Sequence, residues 1–481
     1  MVWTWVEIGV LKLLRLSPVP PNRLRRWAII LGLFLASPVV GRIMVKGGKL
    51  PQLLLGGLGG LVGGLVLYRL GRMEYGVLAI AATAGFVRFK LPTGTQSEIV
   101  ASLLVSLLIL GIWVAKMLLV EKRLTIKPAP TNRPLLSFMA VCIIAYVWSN
   151  AFRDPLVKSW GSFPMVQLAA LAVMLALPGV YLLVSNYVEE VSWLKALAWI
   201  ILIIGAGAIV SYKWGLPTKR IFGTGGIYPT WFIALAYAFV LFDETLDWRI
   251  RLGLVGFMAL WIYWVFIKGL LWMSGWVPAF TAMGVITLLR SRKLTVLAGI
   301  VVLAYLAVNF DYYYEKIFVA SEEEGDYQRL ELWKTNLELV SKHPLLGTGP
   351  AGYAVYYMTY HPENARSTHN NYFDIIAQTG VIGISLYLWF FASLAWAGYK
   401  LFRVLRHQRD FEVAFAAGTL GGTVGAILSG MLGDWIIPFA YNQTIRGFDH
   451  SVYSWLLMGG MMALYRMKLW RDATYLNAGD A

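Results

Sequence analysis

One cysteine, Cys142, occurs in 481 residues. It sits inside an apolar run, so no disulfide framework exists and the redox compartment cannot be read from it. Charge is scarce too. Only 14% of residues are charged, where soluble globular domains carry about a quarter. That shortage excludes an ordinary soluble surface. In its place, 58% of residues are hydrophobic, and runs near span length recur. Examples are EIVASLLVSLLILGIWVAKMLLV (98–120) and LKALAWIILIIGAGAIVSY (194–212). Each is long enough to cross a hydrocarbon core of about 30 Å.

The expected fold is an all-α polytopic membrane protein with about fourteen spans. They fall near 27–45, 51–70, 75–90, 98–120, 135–150, 164–186, 193–212, 227–242, 250–267, 274–290, 294–310, 378–402, 411–433 and 451–468. Residues 1–26 read as an N-terminal interfacial helix, basic on one side and apolar on the other. Charge follows the apolar residues there, which is not the order of a secretory signal. The transmembrane bundle runs 27–310, a large polar outer loop 311–377, and C-terminal spans with a short tail 378–481. The net charge of +16 could suggest nucleic acid, but lysines and arginines gather at segment ends, as membrane orientation requires. RLRRW (23–27), RSRK (290–293) and KLFRVLRHQR (400–409) all fall inside if both termini are cytoplasmic.

The outer loop contains DYQRLELWKTNLELVSKHP (326–344), with Leu330, Trp333, Leu337 and Val340 at helical steps. The spacing predicts an amphipathic helix on that face, starting near Asp326 and ended by Pro344. LLGTGPAGY follows, where Gly347, Gly349 and Gly352 imply tight turns. Ser367 or Thr368 can cap the next helix, placing His369 in its first turn. Helix-end charge disfavours imidazolium there, leaving a neutral ring able to act as a general base. The competing reading is a histidine that only hydrogen-bonds at a helix start. Arg329, near the start of the amphipathic helix, suits a phosphate, or else pairs with Glu322, Glu323 or Glu324. Lys219 and Arg220 stand outside, where orientation gives no reason for a basic pair; a lipid phosphate or simple snorkelling would explain them.

No predicted outer loop offers an Asp-x-Asp pair or a metal-spaced His/Cys cluster, and the first, RIMVKGGKL (42–50), contains no acid. Many polyprenyl-dependent membrane glycosyltransferases keep a catalytic carboxylate there, so this chain is not expected among them. Gly-x-Gly at 347–349 has neither a preceding strand nor a following lysine, which argues against a nucleotide loop.

RLELWKTNLELVSKHPLLGTGPAGY followed by STHNNYFDIIAQTGVIGISLYL resembles the shared region of the bacterial O-antigen ligase and O-antigen polymerase superfamily. The matching features are Arg-x-x-x-Trp, His-Pro-Leu-Leu-Gly-x-Gly, then His369-Asn370 ahead of Gly380 and Gly383. The resemblance covers 329–390, weakens toward about 200 and fades in the first third. It implies a metal-independent, cofactor-free glycosyltransferase of the bacterial inner membrane, active on the periplasmic face. The donor would be an undecaprenyl-pyrophosphate-linked glycan, and the acceptor a lipid or glycan hydroxyl. Carried over, the catalytic residues are His369, Arg329 and Arg220, with Lys219, Asn370, Asn371, Gly347 and Gly349 lining the substrate site. Two departures stand out. IYPT keeps only Pro229 of the usual Asn-Pro-Asn, and Ser274 is followed by glycine instead of arginine. Ligase, polymerase and transfer to protein share this pattern. A flippase is the rival from another class, but transporters hold their ionisable groups near the midplane. The glycines of GGLGGLVGGLV (56–66) read as close helix packing.

Overall fold

The computed structural model describes residues 72–88, 90–92, 98–216, 221–269, 272–314, 326–361, 367–442 and 444–470, with backbone only at 92, 326–329 and 470. The expected interfacial helix, the first two spans, and Lys219 and Arg220 lie outside the described residues. The chain that is described is mostly helical. First come α1 (Glu74–Phe86), α2 (Ala101–Ala115, extended by a π-helical turn to Val120), α3 (Asn132–Ala151), α4 (Phe163–Tyr187) and α5 (Val191–Lys213). Then follow α6 (Tyr228–Phe242), α7 (Trp248–Ile262, extended to Lys268), α8 (Met273–Arg290), α9 (Arg292–Val308) and the short α10 (Phe310–Tyr314). The last group is α11 (Asp326–Lys342), α12 (Gly352–Tyr360), α13 (Asn371–Leu405), α14 (Phe411–Leu432) and α15 (Phe448–Tyr465).

Among the described residues, 7 helices are long and apolar enough to cross a membrane: α2 to α5, α7, α13 and α14 with their extensions. Helices α1 and α6 are apolar but shorter. The all-helical expectation needs one correction. A hairpin of β1 (Lys90–Pro92) and β2 (Glu98–Val100) joins α1 to α2, with Leu91 opposite Ile99. β-Branched Ile99 and Val100 suit a strand, and Lys90 meets Glu98 at 2.8 Å across the ladder.

Close helix packing rests on glycine. Helix α14 lies against α6 and α8. A Cβ at Gly422 would sit 2.3 Å from the Trp231 ring, and one at Gly425 would sit 2.6 Å from the Pro278 carbonyl. Small residues let backbones approach where apolar burial alone cannot drive helix association.

Loop contacts sort the helix ends into two groups. At one end the hairpin meets residues 445–447, Arg88 donates to the Phe222 carbonyl, and Tyr360 donates to Asp154 at 2.7 Å. That hydrogen bond, first among several causes, holds the Asp154 carboxyl below its usual range. At the other end Arg409 pairs with Glu244, Arg72 with Glu190 and Lys468 with Glu412.

Helix α13 is not a simple span. It breaks at Gly380 (φ 67°, ψ −170°), which leaves its ladder open. The loop after α11 fills the gap with its own backbone. Thr348 N–H donates to Ala377 O (2.9 Å) and Gly349 N–H to Gln378 O (3.0 Å). In return Val381 N–H donates to Pro344 O (2.8 Å). Within a membrane an unpaired backbone group costs several kcal/mol, so such a break survives only where protein supplies the partners.

Candidate active site

His369 sits just ahead of α13 in left-handed backbone (φ 52°). Non-glycine residues rarely adopt that conformation, and where they do the surroundings hold them there. Here five neighbours do the holding. Ser367 Oγ accepts from the His369 N–H at 3.0 Å. Thr368, buried beside it, donates its hydroxyl to Asp374 at 2.7 Å, and Tyr353 donates to the same carboxylate oxygen. Asn370 takes extended backbone, and its side-chain oxygen accepts from Tyr372 N–H (2.9 Å) and Phe373 N–H (3.4 Å). Asn370 is therefore the cap, instead of Ser367 or Thr368, and His369 lies before the first turn instead of in it. The reason is chemical: both hydroxyls are already engaged in the turn, and the amide oxygen reaches two N–H groups at once.

The second asparagine anchors a different segment. Asn371 Oδ1 accepts from Ile436 N–H at 2.8 Å, and its Nδ2 donates to Ile437 O at 2.7 Å. This draws residues 433–442, the connection between α14 and α15, over the His369 turn. From that loop Asn442 Nδ2 lies 3.2 Å from His369 Nδ1 and donates to Asp434 Oδ1 at 2.6 Å. Asp434 is buried, and its other oxygen accepts from Phe439 N–H at 2.9 Å.

Helix α11 reaches the same turn. The Trp333 indole donates to the Thr368 carbonyl at 2.8 Å and stacks on Phe373 with centroids 5.1 Å apart. Tyr357 of α12 donates to the Leu332 carbonyl at 2.7 Å. These two bonds fix the roll of the helix and shift its buried stripe from the expected one. Leu332, Asn336, Leu339 and Val340 are buried, whereas Leu330 and Leu337 are 61% and 49% exposed. Arg329 lies one turn before Trp333 on this helix, about 6 Å along its axis.

Residues 230–388 match the family model described as O-Antigen ligase. The chain carries an O-antigen ligase domain. No curated protein matches the sequence.

Within that domain the two halves of the recognised motif meet. The Arg329–Trp333 helix, the glycine turn and the His369 turn all pack at one end of the bundle. Gly347 and Gly349 (φ 65° and 79°) serve the break in α13. A Cβ on Gly347 would fall 2.6 Å from Ala377 O, and one on Gly349 would fall 2.0 Å from Ser149 Oγ. Their N–H groups go to His343 O and Gln378 O, so neither amide points at a ligand. Asn370 and Asn371 likewise direct their amides to the protein. These four, expected to line the substrate site, are hydrogen-bonded to backbone carbonyls of the protein itself. Outside the O-antigen ligase match, sequence reading passed over Asp434 and Asn442. The available signal was a polar loop, GDWIIPFAYNQTIRGFDH (433–450), directly between two spans. Arg88 and Arg446 stand at the same end as the 221–227 segment that follows Lys219 and Arg220.

Proposed function

We propose that this protein is a membrane glycosyltransferase that moves a glycan from an undecaprenyl-pyrophosphate-linked donor to an acceptor hydroxyl. The reaction runs at the face of the membrane away from the cytoplasm, as an inverting single displacement at the sugar's anomeric carbon. The observation that carries this reading is the Trp333–Thr368 hydrogen bond, which couples the helix bearing Arg329 to the turn bearing His369. Arg329 and Arg220 neutralise the pyrophosphate and the charge that grows as it departs. His369 supplies a neutral imidazole beside the reacting oxygens.

Sidedness follows from charge. The opposite end of the bundle carries Arg290, Arg292 and Lys293, and then Arg403, Arg406 and Arg409, the enrichment found on cytoplasmic ends. The His369 end then faces outward, in the bacterial inner membrane.

The experiment is transfer by the purified protein in detergent, with a synthetic lipid-pyrophosphate glycan. A new glycosidic bond and released lipid pyrophosphate are the expected products; donor consumed without a new bond would contradict the reading. A product ladder from donor alone would identify polymerisation, and a need for a second lipid or protein would identify ligation. Arg329→Lys should lose on the order of 10²-fold in rate, because one ammonium cannot make the guanidinium's paired contacts. Unchanged rate and donor affinity would remove Arg329 from pyrophosphate binding.

A further inference from the structure

We infer that Asp434 and Asn442 are positioning residues that fix His369 in the neutral tautomer carrying its proton on Nε2, so that the ring meets its substrate as a hydrogen-bond donor. The inference rests on the reading of His369 as the group beside the reacting oxygens.

The argument is one of donors and acceptors. Asp434 Oδ1 lies 2.6 Å from Asn442 Nδ2. A carboxylate accepts only, so the amide must present its NH₂ group to it and not its oxygen. The same nitrogen lies 3.2 Å from His369 Nδ1. An amide nitrogen has two hydrogens and no lone pair to offer, so Nδ1 must be the acceptor, and the single ring proton of a neutral imidazole then sits on Nε2. The Asp434 backbone contact and the Asn371 clamp on Ile436 and Ile437 hold the loop that presents this amide. Protonating Nδ1 would set one N–H against another, so the pair also opposes imidazolium.

The consequence concerns who takes the acceptor's proton. General-base action at Nε2, the role expected from sequence, needs a bare nitrogen there. With Nε2–H the ring instead donates to an oxygen of the departing pyrophosphate. The C1–O bond to pyrophosphate breaks and the bonding pair leaves with it. The acceptor oxygen bonds to C1 from the face opposite the leaving group, and its hydroxyl proton passes to a water molecule on that face.

The test is ¹⁵N NMR of full-length protein labelled at its histidines and held in lipid nanodiscs. The chain has 5 histidines, and the His369 signals are those lost in His369→Gln. In the wild type the expected result is a protonated Nε2 and a bare Nδ1. In Asn442→Asp, which puts an acceptor beside Nδ1, the proton should move to Nδ1. Transfer by that variant should fall on the order of 10²-fold or more, as wrong-tautomer changes do in histidine-dependent enzymes. A wild-type ring protonated on Nδ1 overturns the inference, whatever the variants do. Failure of the underlying reading looks different: the Nε2 proton would be seen as expected, yet His369→Ala would transfer glycan at the wild-type rate.

Discussion

At the scale of single residues, the site depends on contacts made by groups that never need to touch substrate. Trp333 is the clearest case, because its N–H is the direct link between α11 and the carbonyl preceding His369. Trp333→Phe keeps a ring to stack on Phe373 but removes that donor. A buried carbonyl left unpaired costs about 1–3 kcal/mol. The expected outcome is a lower melting temperature with slower transfer by protein that is still folded; neither change would mean the link is idle. The helix that carries Arg329, the glycine turn and the turn that carries His369 were legible in sequence because they sit inside one short, spaced motif. Asn442 was not, since it touches His369 from 73 positions away. Only the packing of α13 beside α14 and the turn after it makes them neighbours. The two asparagines following His369 were visible, but their backbone partners were not. Spacing identifies an amide at a helix start without saying whether it faces a ligand or the backbone.

At the scale of elements, the decisive feature is the break in α13 and the loop that repairs it. Apolar periodicity runs through Gly380 without interruption, so the sequence reads as one continuous span and hides the break. The Gly380 backbone is one that only glycine adopts easily, and a Cβ there would fall 2.1 Å from Leu345 O. Strain of this kind costs about 1–3 kcal/mol before any clash is counted. Gly380→Ala should therefore lower the melting temperature sharply and abolish transfer. Gly299, in helix α9, is the internal control, with nothing within 4 Å of an added Cβ. Gly299→Ala should be neutral or stabilising by about 0.5–1 kcal/mol. Equal behaviour of the two variants in thermal unfolding would refute the assembly role of the break. The amphipathic helix was found at the expected place, Asp326–Lys342, but rolled about its axis. A hydrogen bond from Tyr357 to the helix backbone and one from the Trp333 indole set that roll, and hydrophobic spacing does not encode them.

At the scale of the whole molecule, ionisable groups gather at the two ends of a glycine-packed bundle. The end holding His369 assembles residues from the domain match and from the α14–α15 connection into one surface. That arrangement favours chemistry at a membrane face over passage through the middle, where a transporter keeps its ionisable groups. Apolar runs and the ends of most helices were readable from composition and length, because bilayer thickness fixes both. The hairpin was not, being too short to carry a periodic signal. The most direct measurement compares glycan transfer from a lipid-pyrophosphate donor by the wild type and by His369→Ala, both shown to be folded. A loss of about 10²-fold or more is the predicted result; turnover within a few-fold of wild type would contradict it.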